Sequence, residues 1–266
     1  MSGFEVRDLS CGYGARKIVS GLSFSMEKGT LMGVLGANGS GKTTLLKGIC
    51  GILPHGGSCE LEGTRLEGLS EKKIARLLSY IPQRSGIAID ISALDVVLMG
   101  FNPRLGLLEH PGPSMKKAAC DMLEAVGLGG REHENYMHLS EGQKQLCILA
   151  RTLVAESRLL LLDEPESALD FRFRYRMLKI IRDWVNEGDR YGLVALHDPM
   201  LALNYCDELL LLKDGCSMGV LRPKEDPREK AEAMLSCIYG PVSLAECKNR
   251  AGESQIVMLR EQEEER

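Results

Sequence analysis

Thr30-Leu31-Met32-Gly33-Val34-Leu35-Gly36-Ala37-Asn38-Gly39-Ser40-Gly41-Lys42-Thr43-Thr44-Leu45-Leu46 joins a continuous apolar run to a glycine-rich loop and then to a helical pattern. The apolar run, Thr30 to Leu35, predicts a buried strand, and Lys42 to Cys50 predicts a helix closed by Gly51. Between them, Gly36 to Thr44 matches the pattern Gly, four residues, Gly-Lys-Ser/Thr. The glycines let backbone N–H groups converge on phosphate at a helix N-terminus; Lys42 adds a mobile positive charge, and the Thr43 hydroxyl can complete a Mg²⁺ shell. The bland alternative is a glycine-rich turn that holds nothing, and the flanking strand and helix argue against it.

Two further stretches carry chemistry. Leu159-Leu160-Leu161-Leu162-Asp163-Glu164 places two carboxylates at the end of a fully apolar strand, where open parallel sheets present their ligand crevice. Asp163 is expected to hold Mg²⁺ through water, and Glu164 to accept a hydrogen bond from the water that attacks a γ-phosphorus. Alone, such acids are more often solvated turn residues, and the phosphate-loop pattern in the same chain reverses that balance. Leu139-Ser140-Glu141-Gly142-Gln143 offers a hydroxyl, a glycine backbone and an amide where a new helix begins, with Ser140 as its cap. It is either a second anion-binding surface or simply a capped helix.

Outward from these motifs, Val6, Leu9 and Tyr13, then Ile18 to Met26, predict short antiparallel strands broken at Gly12, Gly14 and Gly21. From Ser70 the apolar spacing turns helical. Ala93 to Gly100 and Met115 to Val126 predict helices, with no long strand between Gln83 and Leu139. Met177, Leu178, Ile181, Trp184 and Val185 mark one face of a helix; Leu193 to Leu196, Glu208 to Leu212 and Ile256 to Leu259 predict strands, and Glu261 to Arg266 an exposed tail. The fold class is therefore α/β, a phosphate-loop core with an antiparallel β subdomain, interrupted by a helical insertion. Three segments follow: 1–83, 84–155 with the Ser140 motif, and 156–266.

The 266 residues carry a formal net charge of −4, so no field draws the chain to nucleic acid or anionic lipid. Phe171-Arg172-Phe173-Arg174-Tyr175-Arg176 could stack bases, but it runs into the Met177 helical face and reads as a solvated helix start. Nine cysteines form no Cys-x-x-Cys pair and no Cys/His ligand spacing, and read as small buried hydrophobes in a reducing compartment. The Met1–Ser10 stretch lacks the marks of a secretion signal, and no apolar run is long enough for a bilayer span, so a cytosolic location is expected.

Together these motifs resemble, from about residue 3 to 260, the nucleotide-binding subunits of ATP-binding cassette (ABC) proteins. Tyr13 is similar to the aromatic that stacks on adenine. Gly36, Ala37, Asn38, Gly39, Ser40, Gly41, Lys42, Thr43 and Thr44 match the Walker A loop. Gln83 falls where the family's Q-loop glutamine meets Mg²⁺ and the attacking water. Leu139 to Gln143 is similar to the signature motif, Leu159 to Asp163 to Walker B, and Glu164 to the catalytic glutamate. Ser167-Ala168-Leu169-Asp170 matches the D-loop, and His197 the switch histidine that contacts the γ-phosphate.

The resemblance implies an ATPase using ATP and Mg²⁺, with Glu164, His197, Gln83 and Lys42 catalytic and Thr43, Gln83 and Asp163 at the metal. It also implies a head-to-tail dimer, in which Ser140, Gly142, Gln143 and Asp170 of one copy meet nucleotide held by its twin. Further implied partners are integral membrane permease subunits at the inner face of the cell membrane and, indirectly, a substrate-binding protein. No nucleic acid is expected. Two residues depart from the family pattern: Glu141 where Gly is usual, setting a carboxylate near a triphosphate, and Glu166 where a small residue is common.

Val96 to Gly106, with Gly100-Phe101-Asn102-Pro103-Arg104-Leu105-Gly106, resembles in part a segment of iron-chelate, haem and cobalamin importers. The same residues read equally as a helix ending at Gly100 and a proline turn. The rival classes are an ABC ATPase that moves no solute and a degenerate module that holds ATP without turning it over.

Overall fold

The computed structural model describes residues 3–83, 87, 89–106 and 108–262. The chain divides into two compact units, residues 1–67 with 193–266, and residues 68–192. The sequence boundary expected at 83/84 abuts residues 84–86, which lie outside the described residues.

The first unit opens with β1 (Phe4–Tyr13) and β2 (Arg16–Met26), an antiparallel pair whose inward residues alternate: Phe4, Val6 and Leu9 on one strand, Val19, Leu22 and Phe24 on the other. The strands are continuous where breaks were expected at Gly12 and Gly21. Register shifts absorb the irregularity, and only Gly14 sits in the turn. β3 (Leu31–Gly36) is buried at every position, the pattern of a strand covered on both faces. α1 (Lys42–Ile49) follows, then β4 (His55–Leu61), which pairs antiparallel with β1, and the two-residue β5 (Thr64–Arg65), giving the order β2-β1-β4-β5.

The second unit begins with α2 (Glu71–Leu77) and passes at once into β6 (Leu78–Ile81). This strand was not expected, since helical spacing was read onward from Ser70. Four residues are too few to show alternation, and its parallel partner supplies the order. α3 (Ala93–Leu98) continues as a 3₁₀ turn over Met99–Phe101, and α4 (Pro113–Val126) starts with proline in its first turn and stops at Gly127. α5 (Glu141–Leu153) packs with α3 and α4 into the expected helical insertion. β7 (Leu159–Asp163) is buried throughout and pairs with β6, Leu78 opposite Leu159 through Ile81 opposite Leu162. α6 (Phe171–Glu187) buries Met177, Leu178, Ile181, Trp184 and Val185, the face read from the sequence, while its Phe171 start is exposed.

β8 (Tyr191–Ala195) carries the chain back into the first unit. There α7 (Pro199–Tyr205) leads to β9 (Glu208–Lys213), which lies parallel to β3 with Val34 opposite Leu210, and β10 (Cys216–Leu221) returns antiparallel to β9. α8 (Arg228–Tyr239) precedes a hairpin of β11 (Val242–Lys248) and β12 (Ser254–Arg260). The expected strand at Ile256 to Leu259 lies within β12, and Ile238 and Tyr239 end α8. Glu261 and Gln262 are exposed, and the rest of the expected tail, residues 263–266, lies outside the described residues.

All nine cysteines are free. Cys11, Cys59, Cys147 and Cys206 are buried as expected, whereas Cys216, Cys237 and Cys247 are exposed, which corrects their reading as core residues.

Candidate functional site

In the first unit, the loop after β3 is a cradle of backbone. Gly39 (φ 80°) and Gly41 (φ 105°) adopt the left-handed conformation that side chains resist, and this turns the chain directly into α1. Ser40 N donates to Ala37 O at 3.1 Å, Gly215 N donates to Ser40 O at 3.1 Å, and Leu45 N donates to Gly41 O at 2.8 Å. Lys42 folds back over its own loop, Nζ donating to Gly36 O at 2.9 Å and reaching Ala37 O at 3.5 Å. α1 has no side-chain cap at Gly41, and Ser40 Oγ is buried with no hydrogen-bond partner among the described residues. An uncapped helix start, a buried hydroxyl in want of a partner and a hinged ammonium are what a phosphate group would satisfy.

Two more candidate residues belong to this unit. Leu196 N donates to Val34 O at 3.2 Å, so His197 leaves the end of β8 beside β3, the strand that feeds the loop. Asp198 then caps α7, accepting from Met200 N at 2.9 Å. Tyr13 ends β1 with 49% of its surface exposed, available for stacking.

The second unit gathers the acids. Asp163 closes β7, and Tyr80 on β6 donates its hydroxyl to Asp163 Oδ2 at 3.3 Å. Glu164 has φ 50°, a conformation that costs a non-glycine residue about 1–3 kcal/mol and persists where surroundings over-determine it. One such surrounding group is Gln83, whose Nε2 donates to Glu164 Oε2 at 2.6 Å. The contact joins residues 81 positions apart, the reach that β6 and β7 create by pairing. Glu166, flagged as a departure, is buried in the turn that follows, where Leu169 N donates to Glu166 O at 3.0 Å.

Ser140 caps α5 as expected, through a reciprocal box. Gln143 N donates to Ser140 Oγ at 3.3 Å, and Ser140 N donates to Gln143 Oε1 at 2.9 Å. The cap uses the Ser140 hydroxyl as an acceptor, so its own O–H is left to donate. Asp170 caps α6 by accepting from Phe173 N at 3.0 Å. Ser140, Gly142, Gln143, Leu169 and Asp170 line one concavity of about 370 Å³. Glu141 also lines it, but not as a bare charge: its side chain is 79% exposed and Oε1 pairs with Lys144 Nζ at 2.8 Å. Tyr80 was missed at the level of sequence, because without β6 nothing marks it as a neighbour of Asp163.

Comparison with known proteins decides the family. Residues 19–167 match the ABC transporter family. The chain belongs to it. This ABC ATPase is 38% identical over 212 residues to a Helicobacter pylori protein named "Probable iron chelatin transport ATP-binding protein", covering 79% of this chain and 83% of the relative. It is 35% identical over 245 residues to the hemin import ATP-binding protein HmuV of Bordetella avium, covering 89% of this chain and 91% of the relative. Among solved structures, a chain described as part of a metal-chelate type ABC transporter in an inward-facing conformation superposes with a TM-score of 0.81 at 25% identity, covering 98% of each chain.

The residues present fit the ligands of an ABC ATPase. Thr43 hydroxyl, Asp163 carboxylate and the Gln83 amide oxygen, which its bond to Glu164 leaves available, are all hard oxygen donors of the kind Mg²⁺ takes. Among the described residues no helix is long and apolar enough to cross a membrane.

Proposed function

We propose that this ABC ATPase powers import of an iron chelate, haem or cobalamin through a separate membrane permease, working as a head-to-tail dimer at the inner face of the cell membrane. The relatives' printed roles in iron chelatin transport and hemin import support the iron-centred cargoes. A substrate-binding protein would act on the far side, and nucleic acid is no partner. The functional division is 1–83, 84–155 and 156–266, with the second segment receiving the permease.

The residue roles are as follows. Tyr13 stacks on adenine; backbone from Gly36 to Thr44, including Ala37, Asn38, Gly39, Ser40 and Gly41, holds the phosphates, and Lys42 neutralises developing charge. Mg²⁺, held by Thr43, Gln83 and Asp163, would supply charge neutralisation on the β and γ phosphates. Glu164 orients the attacking water and takes its proton, while His197 holds the γ-phosphate. Ser140, Gly142, Gln143 and Asp170 meet nucleotide carried by the other copy. Ligand bridging two surfaces stabilises their association, and loss of the terminal phosphate removes the bridge.

The observation that carries the catalytic reading is the 2.6 Å hydrogen bond from Gln83 to Glu164, which holds the candidate base against a candidate metal ligand. Cells lacking this chain should lose uptake of radio-iron chelate, with wild type restoring it and Glu164→Gln failing to. Undiminished uptake of iron chelate, haem and cobalamin without the chain would overturn the import reading.

A further inference from the structure

His55, Cys59 and Glu67, none of which is given a role above, meet in the antiparallel sheet of the first unit. His55 opens β4, Cys59 lies four residues on, past the left-handed Gly57 (φ 85°), and Glu67 follows β5. Cys59 N donates to Glu67 Oε1 at 2.6 Å and Leu66 N donates to Cys59 O at 2.9 Å, which folds the segment back onto the strand. His55 Nε2 stands 3.6 Å from Glu67 Oε1, and one ligand atom from each of the three residues lies within 4.8 Å of the others. The His55 side chain is 8% exposed and Cys59 is fully buried.

We propose that His55, Cys59 and Glu67 form a binding site for a single divalent cation of borderline softness, with Zn²⁺ chemistry. Imidazole nitrogen, thiolate sulfur and carboxylate oxygen are the donor set such ions take, and three protein ligands leave a fourth position for water. Two ligands bound at ordinary zinc distances stand about 3.4 Å apart, close to the imidazole–carboxylate gap, and the sulfur needs an inward shift of at most about 1 Å. Burial holds the Cys59 thiol protonated, pushed up to about 12, helped by Glu67 and Cys11. Binding therefore transfers the Cys59 proton to solvent as the S–metal bond forms. Burial alone would raise the Glu67 carboxyl, but the N–H groups of Glu67 and Cys59 and the Arg65 guanidinium outweigh it and keep the carboxylate ionised.

The site is also coupled to the phosphate loop's helix. Cys11 sits opposite His55 in the β1–β4 register, and its thiol donates to Thr44 O at 3.4 Å. A cation drawn between β4 and Glu67 would thus tighten the sheet on which α1 rests.

The test uses the full chain, reduced and stripped of metal, carrying Cys216→Ser, Cys237→Ser and Cys247→Ser so that exposed thiols contribute nothing. Titration with Co²⁺ should give one equivalent bound, with a sulfur-to-cobalt charge-transfer band that Zn²⁺ bleaches. Cys59→Ser should abolish the band. His55→Ala and Glu67→Gln, which remove no apolar core side chain, should each weaken binding at least about tenfold while circular dichroism stays unchanged. Absence of stoichiometric Co²⁺ binding, a bound ion without the sulfur band, or a folded His55→Ala chain that binds as tightly as its parent would each overturn the proposal.

Discussion

Gln83 Nε2 lies 2.6 Å from Glu164 Oε2, so the amide reaches across from the end of β6 to the carboxylate just past β7. The bond fixes the two side chains against each other: the amide aims the Glu164 carboxylate, and the carboxylate holds Gln83. Glu164→Gln keeps size and the chance of a hydrogen bond but removes the base. Turnover should fall on the order of 10²–10⁴-fold, with ATP affinity retained. Steady-state phosphate release and equilibrium ATP binding, measured on the same preparation, check this; near-wild-type turnover would remove Glu164 from the reaction.

Gln83→Ala separates positioning from base chemistry. Glu164 would keep its carboxyl group but lose one of the contacts that fix it at φ 50°. A loss of roughly tenfold in kcat is expected, well short of the loss from Glu164→Gln, since the base survives and only its orientation suffers. Single-turnover kinetics with saturating Mg-ATP measure it.

At the start of α5 the exposed Glu141 pairs with the half-buried Lys144. With one partner in solvent, the pair should contribute less than about 1 kcal/mol to stability, so thermal unfolding of Glu141→Gly should shift little. The charge balance matters more than the bond. Lys144→Ala leaves the carboxylate uncompensated beside incoming triphosphate and should raise the ATP concentration needed for half-maximal turnover, and adding Glu141→Gly should restore it. Failure of the double variant to recover would show that Lys144 acts independently of Glu141.

Gly100 is a packing position rather than a helix stop. A Cβ there would sit 2.1 Å from Arg151 O and 2.7 Å from a Val154 methyl, because the 3₁₀ turn after α3 lies directly on α5. Arg104 then anchors the following turn just past the same end of α5, donating to Ala155 O at 2.7 Å and to Glu156 at 2.8 Å. Gly100→Ala should destabilise the chain by about 1–3 kcal/mol through overpacking. Denaturant unfolding checks it, and an unchanged midpoint would contradict the contact.

Local signals were legible in the sequence, and signals that depend on a partner strand were not. The Gly36–Thr44 loop, the apolar runs of β3 and β7, the Ser140 cap and the α6 face each declare themselves within a single window of residues. β4 begins His55-Gly56-Gly57-Ser58, without apolar alternation, and β6 is four residues long; both are strands because β1 and β7 offer them ladders. Tyr80's bond to Asp163 went unseen for the same reason. The orientation of Glu141 was available in principle, since Lys144 follows three residues later on the same helical face, a spacing that predicts pairing.

The shared-site dimer is tested most directly by counting ATP in mixed dimers. In a Glu164→Gln background, where bound ATP is not consumed, Lys42→Ala and Ser140→Ala chains should each fail to form an ATP-held dimer. Mixed together, they should yield a dimer carrying one ATP, held by the intact loop of one chain and the intact Ser140 of the other. Gel filtration followed by nucleotide quantification that finds no dimer in the mixture, or two ATP per dimer, would contradict it.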